Sequence, residues 1–166
     1  MEYHIKTHHL KMRKLNINDA SFMYELNNNP KVIQYTGDPP FESIDSAKAF
    51  ILNYDQYKLY NVGRWVVELK EDSTAIGWCG LKYHPKEDEY DIGFRLFEHY
   101  WGKGYATEAA EACLSFAKKI GITRVVAHAM KDNLASIQVL KKIGMKIYSQ
   151  GEMNGNTAVY FEYHII

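Results

Sequence analysis

The sequence predicts an α/β (α+β) fold in which a mixed, mostly antiparallel sheet carries helices on its faces. Three apolar segments follow one another across short polar links, as expected of an antiparallel meander. A strand, a helix and a second strand then occupy residues 90–130, and such a crossover makes its two strands parallel. An Asn-Gly-Asn sequence centred on residue 155 is typical of a β-hairpin.

One strand and two helices are predicted ahead of the meander. Leu10–Leu15 alternates apolar with basic residues, which indicates a strand. The segment Ala20–Leu26 indicates a helix that ends in an asparagine-rich stretch before a proline. After a Gly-Asp-Pro-Pro loop, Ser43 or Asp45 is expected to cap a second helix that continues to about Tyr57.

The remaining elements alternate between strands and two longer helices. A stripe of alanines predicts a helix that starts near Ala106 and ends before Gly121. A strand at Arg124–Met130 and a helix at about Leu134–Ile143 precede the C-terminal hairpin. The meander strands are expected at Arg64–Leu69, Thr74–Tyr83 and Tyr90–Phe97. The sheet would thus have about seven strands, flanked by about four helices.

Length and composition indicate one domain, over residues 1–166, because no repeat, low-complexity tract or linker suggests a boundary. Twenty basic residues balance twenty acidic ones, so a nucleic-acid partner is not expected. The charged N-terminal stretch and the lack of a long apolar run predict a cytoplasmic protein without a membrane anchor. The only two cysteines, Cys79 and Cys113, are expected to be reduced and buried.

A glycine turn stands between the third meander strand and the alanine-rich helix. It contains Gly102, Lys103 and Gly104, directly before the first helical residues. The first N–H groups of a helix are unpaired and carry the positive end of its dipole, and glycine lets an anion approach the backbone closely. A phosphate or pyrophosphate is therefore the expected ligand. The spacing fits neither a P-loop nor a Rossmann fingerprint, so a simple tight turn is the alternative.

Two segments together resemble the GNAT superfamily of acyl-CoA-dependent N-acetyltransferases, most closely its RimJ/RimL-type branch: IGFRLFEHYWGKGYATEA at residues 92–109 and NLASIQVLKKIGM at residues 133–145. The first family signature, Q/R-x-x-G-x-G/A before a helix, departs at His99 and is met by Gly102 and Gly104, with Ala106 following. The second signature is met by Asn133, Ser136, Leu140, Gly144 and Met145.

The resemblance implies that acetyl-CoA is the co-substrate and that the two parallel strands splay apart to hold it. The pyrophosphate would lie on the helix N-terminus after the turn, and the pantetheine arm would take the place of a missing strand. The implied cofactor-binding residues are Leu96, Phe97, Gly102, Lys103, Gly104, Tyr105, Ala106, Thr107, Asn133, Ser136 and Lys142, with Lys141 as the alternative to Lys142. No metal is expected, since the seven histidines show no ligand spacing.

Asp91 is the candidate general base, because it stands where family members carry a glutamate on the central strand. Glu68 is a weaker candidate, and the alternative for Asp91 is a solvated residue at the start of a strand. Many GNAT enzymes use a tyrosine as the general acid for the leaving thiolate, but Leu140 occupies that position here. Ser136 or a water molecule is expected to take over this role.

The implied reaction is transfer of an acetyl group to a primary amine by direct attack within a ternary complex. The acceptor is expected to be a protein N-terminal α-amine or a small amine, an amino-sugar antibiotic included. A non-catalytic acyl-CoA-binding sensor is the alternative, because the base is uncertain and the tyrosine is missing. A nucleotide-binding domain with a coincidental turn is the third hypothesis. The edge of the C-terminal hairpin is a candidate for pairing two subunits as a homodimer.

Overall fold

Eight strands form one sheet in the computed structural model, which describes residues 2–166. The strands are β1 (Ile5–Lys6), β2 (Leu10–Arg13), β3 (Arg64–Leu69), β4 (Ala75–His84), β5 (Glu89–Leu96), β6 (Arg124–Met130), β7 (Lys146–Met153) and β8 (Asn156–His164). Their order across the sheet is β1-β2-β3-β4-β5-β6-β8-β7. Only β5 and β6 run parallel, and the other neighbouring strands are antiparallel. The predicted fold class is confirmed.

The helices pack on both faces of this sheet. They are α1 (Ala20–Asn28), α2 (Pro30–Ile33), α3 (Ile44–Leu52), α4 (Gln56–Tyr60), α5 (Tyr105–Lys119) and α6 (Leu134–Lys142). Among the described residues, no helix is both long enough and apolar enough to cross a membrane.

Three elements differ from the sequence prediction, and one of them is α2, a single turn that begins at the proline expected to follow the end of the first helix. The helix expected to run from residue 43 to about residue 57 is divided into α3 and α4, with Asn53 leaving the helical conformation. The break lets Tyr54 and Tyr57 reach the start of β3, where their hydroxyls bond to the N–H and C=O of Arg64. The eighth strand, β1, is only two residues long and pairs with β2, so local pattern did not reveal it.

The main core lies between the sheet and α5 with α6. The alanine stripe of α5 is buried together with Cys113, as its 3.6-residue periodicity predicts. Cys79 on β4 faces Cys113, with 3.6 Å between the two sulfur atoms, and both thiols are free and fully buried, as expected. A smaller core packs α1 and α3 against the other face, around Val66 and the partly buried Trp78.

The parallel strands β5 and β6 diverge after only two paired residues. They pair at Tyr90 with Val125 and at Asp91 with Val126. On their outer sides, β4 stays paired with β5 as far as Leu96, and β8 stays paired with β6 as far as Met130. A gap therefore opens between β5 and β6 toward their C-terminal ends, where α5 and α6 begin. This is the splayed pair that the sequence predicted.

Candidate functional site

One end of the gap between β5 and β6 is formed by the glycine turn and the N-terminus of α5. Gly102 and Gly104 have φ of +71° and +84°, a conformation that residues with a Cβ rarely adopt. A Cβ at either position would meet nothing within 4 Å, so the space beside the turn is open. Gly104 caps α5 without a side-chain hydrogen bond, and the first N–H groups of the helix point to this space unpaired. The turn therefore leaves open space for an anion at the helix N-terminus.

Glu108, in the first turn of α5, attaches that helix to the β1–β2 connection. Its carboxylate accepts hydrogen bonds from the Thr7 hydroxyl and from the backbone N–H of His9, the latter at 2.8 Å. It also contacts the His9 ring at 2.8 Å. Burial alone would raise the pKa of Glu108, but these hydrogen bonds outweigh it and hold the pKa below its usual range. The contacts fix the direction in which the helix N-terminus points.

The β5 side of the gap ends at Leu96, whose carbonyl accepts the indole N–H of Trp101 at 2.8 Å. The next residue, Phe97, donates its N–H to Ile76 at 2.9 Å and accepts from the N–H of Tyr100 at 3.0 Å. The main chain of Phe97 is thus already bonded within the protein. Of the two predicted contacts, Leu96 is the one that lies along the gap.

Asn133 and Ser136 lie at the opposite side of the gap, where β6 leads into α6. The side-chain oxygen of Asn133 caps the helix by accepting the N–H of Ser136 at 3.3 Å. Within residues 2–166, the amide nitrogen of Asn133 and the Ser136 hydroxyl have no partner. Lys142 lies in the last turn of α6, roughly 13 Å farther along the helix, so the fold does not bring it beside them. Leu140 is buried in the main core.

Asp91 lies at the closed end of the gap and is only 7% exposed. Arg64 Nη2 donates to one of its oxygens at 2.6 Å, and His84 Nε2 bonds to the other. Burial alone would raise the pKa of Asp91, but the Arg64 charge and the hydrogen bonds from His84 and Arg64 hold it below its usual range. The alternative of a solvated aspartate is wrong, because the meander buries this position between β4 and β6.

Glu68, the weaker base candidate, belongs to a different cluster, two strands away from the gap. Its carboxylate accepts from Arg13 Nε at 2.7 Å and from the Tyr3 hydroxyl at 2.9 Å. Arg13 in turn donates to both oxygens of Asp19, at 2.8 Å each. All three members of the Arg13 cluster are buried, and they join β2, β3 and the start of α1. The cluster holds the fold together at a distance from the site.

The face of the sheet that carries Asp91 has a polar, charge-paired surface beside the gap. Trp78 lies between Arg64 and Arg95, with each guanidinium carbon 5.1 Å from its ring. Arg95 donates to Asp38 at 2.8 Å and also bonds to the side chain of Asn27. Burial lowers the pKa of Arg95, and the Asp38 carboxylate partly offsets this. Both carboxylates on this surface are thus neutralised by an arginine.

The loop at residues 37–40 covers part of this charge-paired surface. The Gly-Asp-Pro-Pro loop reaches the β7–β8 turn, so closely that a Cβ at Gly37 would lie 2.1 Å from the side-chain nitrogen of Asn154. The loop and the turn therefore bound the face on which an acceptor can approach Asp91. Opposite them, His128 projects from β6 onto the same face, and burial lowers its pKa.

Four residues at the site were missed by reasoning from the sequence: Arg64, His84, Trp101 and Glu108. The hairpin offered one available signal, since pairing β4 with β5 puts His84 diagonally across from Asp91 on one face. An acidic residue in the first turn of a helix was a second signal, for Glu108. The Arg64–Asp91 bond joins residues from different strands, and the Trp101–Leu96 bond depends on the path of the connection between them, which local pattern does not predict.

Comparison with known proteins identifies a family model and a relative that this chain resembles in sequence. A family model described as an acetyltransferase (GNAT) domain matches residues 9–146. The chain is 33% identical to YnaD, an uncharacterized N-acetyltransferase of Bacillus subtilis (strain 168), over 144 residues. That match covers 86% of this chain and 82% of the relative.

Solved structures of low sequence identity share the fold. RimL, a ribosomal L7/L12 alpha-N-protein acetyltransferase in complex with coenzyme A, gives a TM-score of 0.85 at 16% identity, covering 99% of this chain and 98% of its own. Spermidine N-acetyltransferase from Vibrio cholerae, in complex with CoA and spermine, gives 0.81 at 19% identity, covering 95% and 96%. At these identities the likeness shows the fold alone.

Proposed function

This chain belongs to the GNAT acetyltransferase family, and from that premise we propose that it moves the acetyl group of acetyl-CoA to a primary amine by direct attack within a ternary complex. It is an acyl-CoA-dependent N-acetyltransferase, like the relatives so named. The proposed acceptor is a protein N-terminal α-amine or a small amine. One observation carries the proposal: the gap between β5 and β6 has an open anion-binding turn at one end and Asp91 at the other.

The turn and the first residues of α5 are proposed to hold the pyrophosphate. The proposed ligands are the backbone N–H groups of Gly102, Lys103, Gly104, Tyr105, Ala106 and Thr107, with the Lys103 ammonium adding charge. The backbone N–H of Leu96, which points away from β4, and the Asn133 amide are proposed to hold the pantetheine arm from the two sides of the gap. Phe97 and Lys142 are weaker candidates, since the first is bonded within the protein and the second lies at the far end of α6.

Bound acetyl-CoA supplies an acetyl group that is activated as a thioester. The protein has to align the amine with it, exclude water and accept a proton from the amine. Asp91, together with the side chains hydrogen-bonded to it, is proposed to accept this proton, because it is the buried acid at the closed end of the gap. The Ser136 hydroxyl is proposed to donate a proton to the leaving sulfur, in place of the tyrosine that Leu140 replaces.

The charges beside the gap favour an acceptor with one positive charge over a polyamine. Asp38 and Asp91 are already paired with Arg95 and Arg64, so neither carboxylate is left to bind a second ammonium group. Two arginines on this face would also repel a ligand of several positive charges. A peptide N-terminus or a small monoamine is therefore the acceptor class that this surface supports best.

An acceptor screen tests the proposal. Thiol release from acetyl-CoA is measured with peptides that have free N-termini, small monoamines, polyamines and aminoglycosides. We expect turnover with members of the first two classes and much lower kcat/KM with polyamines. CoA binding without turnover on any amine would contradict the proposal and favour the sensor. Preferred use of a polyamine would contradict the acceptor class while leaving the acetyltransferase activity intact.

A further inference from the structure

Of the two side chains that contact Asp91 at the closed end of the gap, His84 is the more exposed. It is the last residue of β4, and its side chain is 34% exposed. In the β4–β5 register, His84 lies opposite Glu89 and Asp91 lies opposite Lys82, so the histidine and Asp91 are diagonal neighbours on one face. Its Nε2 bonds to Asp91, whereas its Nδ1 has no hydrogen-bond partner in the part of the chain that the structure describes.

The Asp91 carboxylate is poorly suited to take a proton itself. Both of its oxygens already accept hydrogen bonds, and its positively charged neighbour Arg64 favours the ionised form. An ionised carboxylate only accepts hydrogen bonds, so the hydrogen in the contact with His84 belongs to Nε2. In the neutral ring this leaves a lone pair on Nδ1, the nitrogen that does not contact Asp91.

We propose that His84 Nδ1 accepts the proton from the acceptor ammonium, with Asp91 orienting the ring through Nε2 and Arg64 holding Asp91 in place. This assignment rests on the proposed function and names the residue that performs its proton-transfer step. A carboxylate held against one imidazole nitrogen fixes the tautomer and makes the other nitrogen the base. Here the roles of the two ring nitrogens follow directly from which of them contacts Asp91.

The atoms and protons of the proposed reaction balance. The acceptor enters as an ammonium ion and gives one proton to Nδ1, and His84 later releases that proton to water. A C–N bond forms as the C–S bond breaks, the Ser136 hydroxyl protonates the departing sulfur, and the second proton lost by the nitrogen restores that hydroxyl. The products are an amide, the free thiol and one proton, and no oxidant or metal is required.

Several charged or titratable groups lie around His84. The Asp91 carboxylate is the nearest, and Glu89 lies directly across on β5 but is paired with Arg124 at 3.2 Å. The remaining groups are Arg64 on β3, Lys82 on β4, His128 on β6 and Tyr54 after α3. His128 is the other imidazole on this face, but among the described residues it has no carboxylate partner to orient it.

The test compares His84→Gln with a matched control, His164→Gln. His164 also contacts a carboxylate, Glu162 at 3.4 Å, but it is 66% exposed and lies at the end of β8. The kcat/KM for the best acceptor of the screen is measured from pH 6 to 9.5, with CoA affinity by calorimetry and the melting temperature alongside. For His84→Gln we expect a loss of about 10²–10⁴-fold in kcat/KM near pH 7, which is typical of a removed general base.

The pH dependence of the loss in kcat/KM distinguishes a role in proton transfer from a structural effect. CoA affinity and melting temperature should stay those of the wild type, and the loss should shrink as rising pH supplies more neutral amine. His164→Gln should match the wild type throughout. A His84→Gln variant with wild-type kcat/KM across this pH range would overturn the assignment. So would an equal loss at every pH, which indicates a steric or structural effect.

A second measurement reports on the ring without relying on activity. In histidine-¹⁵N-labelled wild-type protein, we expect the neutral His84 ring to carry its hydrogen on Nε2, and a hydrogen on Nδ1 would contradict the assignment. A wild-type chain that binds CoA but acetylates no amine contradicts the proposed function and, with it, the role of His84. An active wild type with an equally active His84→Gln variant contradicts the role of His84 alone.

Discussion

Asp91 shows how a residue's role depends on its partners as much as on its own chemistry. From its position on the central strand alone it is the candidate base. In the structure Arg64 and His84 occupy both of its oxygens, and the lowered pKa makes it a weak proton acceptor. The more exposed imidazole beside it is then the better candidate. At this scale Gly104 offers the clearest test of where CoA binds.

Gly104→Val should abolish measurable CoA binding while the fold survives. The added methyl groups would occupy the open space beside the turn, and a β-branched residue at φ of +84° costs about 1–3 kcal/mol of stability. Gly121→Val is the matched control, because Gly121 at the other end of α5 has a φ of +87° and also has open space around its Cβ. Calorimetric titration with CoA and urea unfolding are measured on both variants. Equal CoA affinity in the two would show that the pyrophosphate lies elsewhere.

At the scale of elements, the N-terminus of α5 is held in place, which suits the anion-binding role proposed for it. Glu108 ties the first turn of α5 to Thr7 and His9, which lie about a hundred positions earlier in the sequence. The splay of β5 from β6 depends on a similar restraint, since β4 and β8 hold the two strands from outside. Both restraints keep a polar gap open that would otherwise close by strand pairing.

Glu108→Gln should lower the free energy of unfolding by about 1–2 kcal/mol at pH 7, because an ionised acceptor of several hydrogen bonds is lost. The pKa of Glu108 is lowered by folding, so its contribution is fully present above its usual pKa of about 4.3 and disappears as pH falls through the folded-state value. The difference between wild type and variant in urea unfolding should therefore shrink below about pH 4. Glu111→Gln, on an exposed position one turn later, should change stability by less than about 0.5 kcal/mol. A pH-independent difference for Glu108→Gln would argue against this account.

At the scale of the whole molecule, the two faces of the sheet have different roles. One face packs on α5 and α6 and forms the main core, while the other carries the charge-paired surface beside Asp91. The gap between β5 and β6 connects the two faces, so the donor and the acceptor can meet at it. A ligand that fills the gap would bridge both halves of the sheet.

CoA should therefore stabilise the folded chain, and ATP or NAD should not. At a CoA concentration of 100 times Kd, linkage gives about 2.7 kcal/mol, which corresponds to a rise of roughly 5–10 °C in melting temperature for a chain of this size. The comparison is made by thermal shift with the three ligands at equal concentration. Protection by ATP or NAD without protection by CoA would support the nucleotide-binding hypothesis instead.

Local patterns in the sequence determined most of the elements, and two short motifs carried the family resemblance from which the donor side of the site is proposed. The glycine turn, the alanine stripe of α5 and the asparagine that caps α6 each depend on residues within a few positions of one another. The division of α3 from α4, the short β1, and the partners of Asp91 and Glu108 were decided only by the tertiary structure. The bonds of Arg64 to Asp91 and of Glu108 to Thr7 and His9 join residues far apart in the chain, so local pattern carries no trace of them. The helix break and β1 involve nearer residues, but they depend on packing against β3 and β2, which no local periodicity encodes.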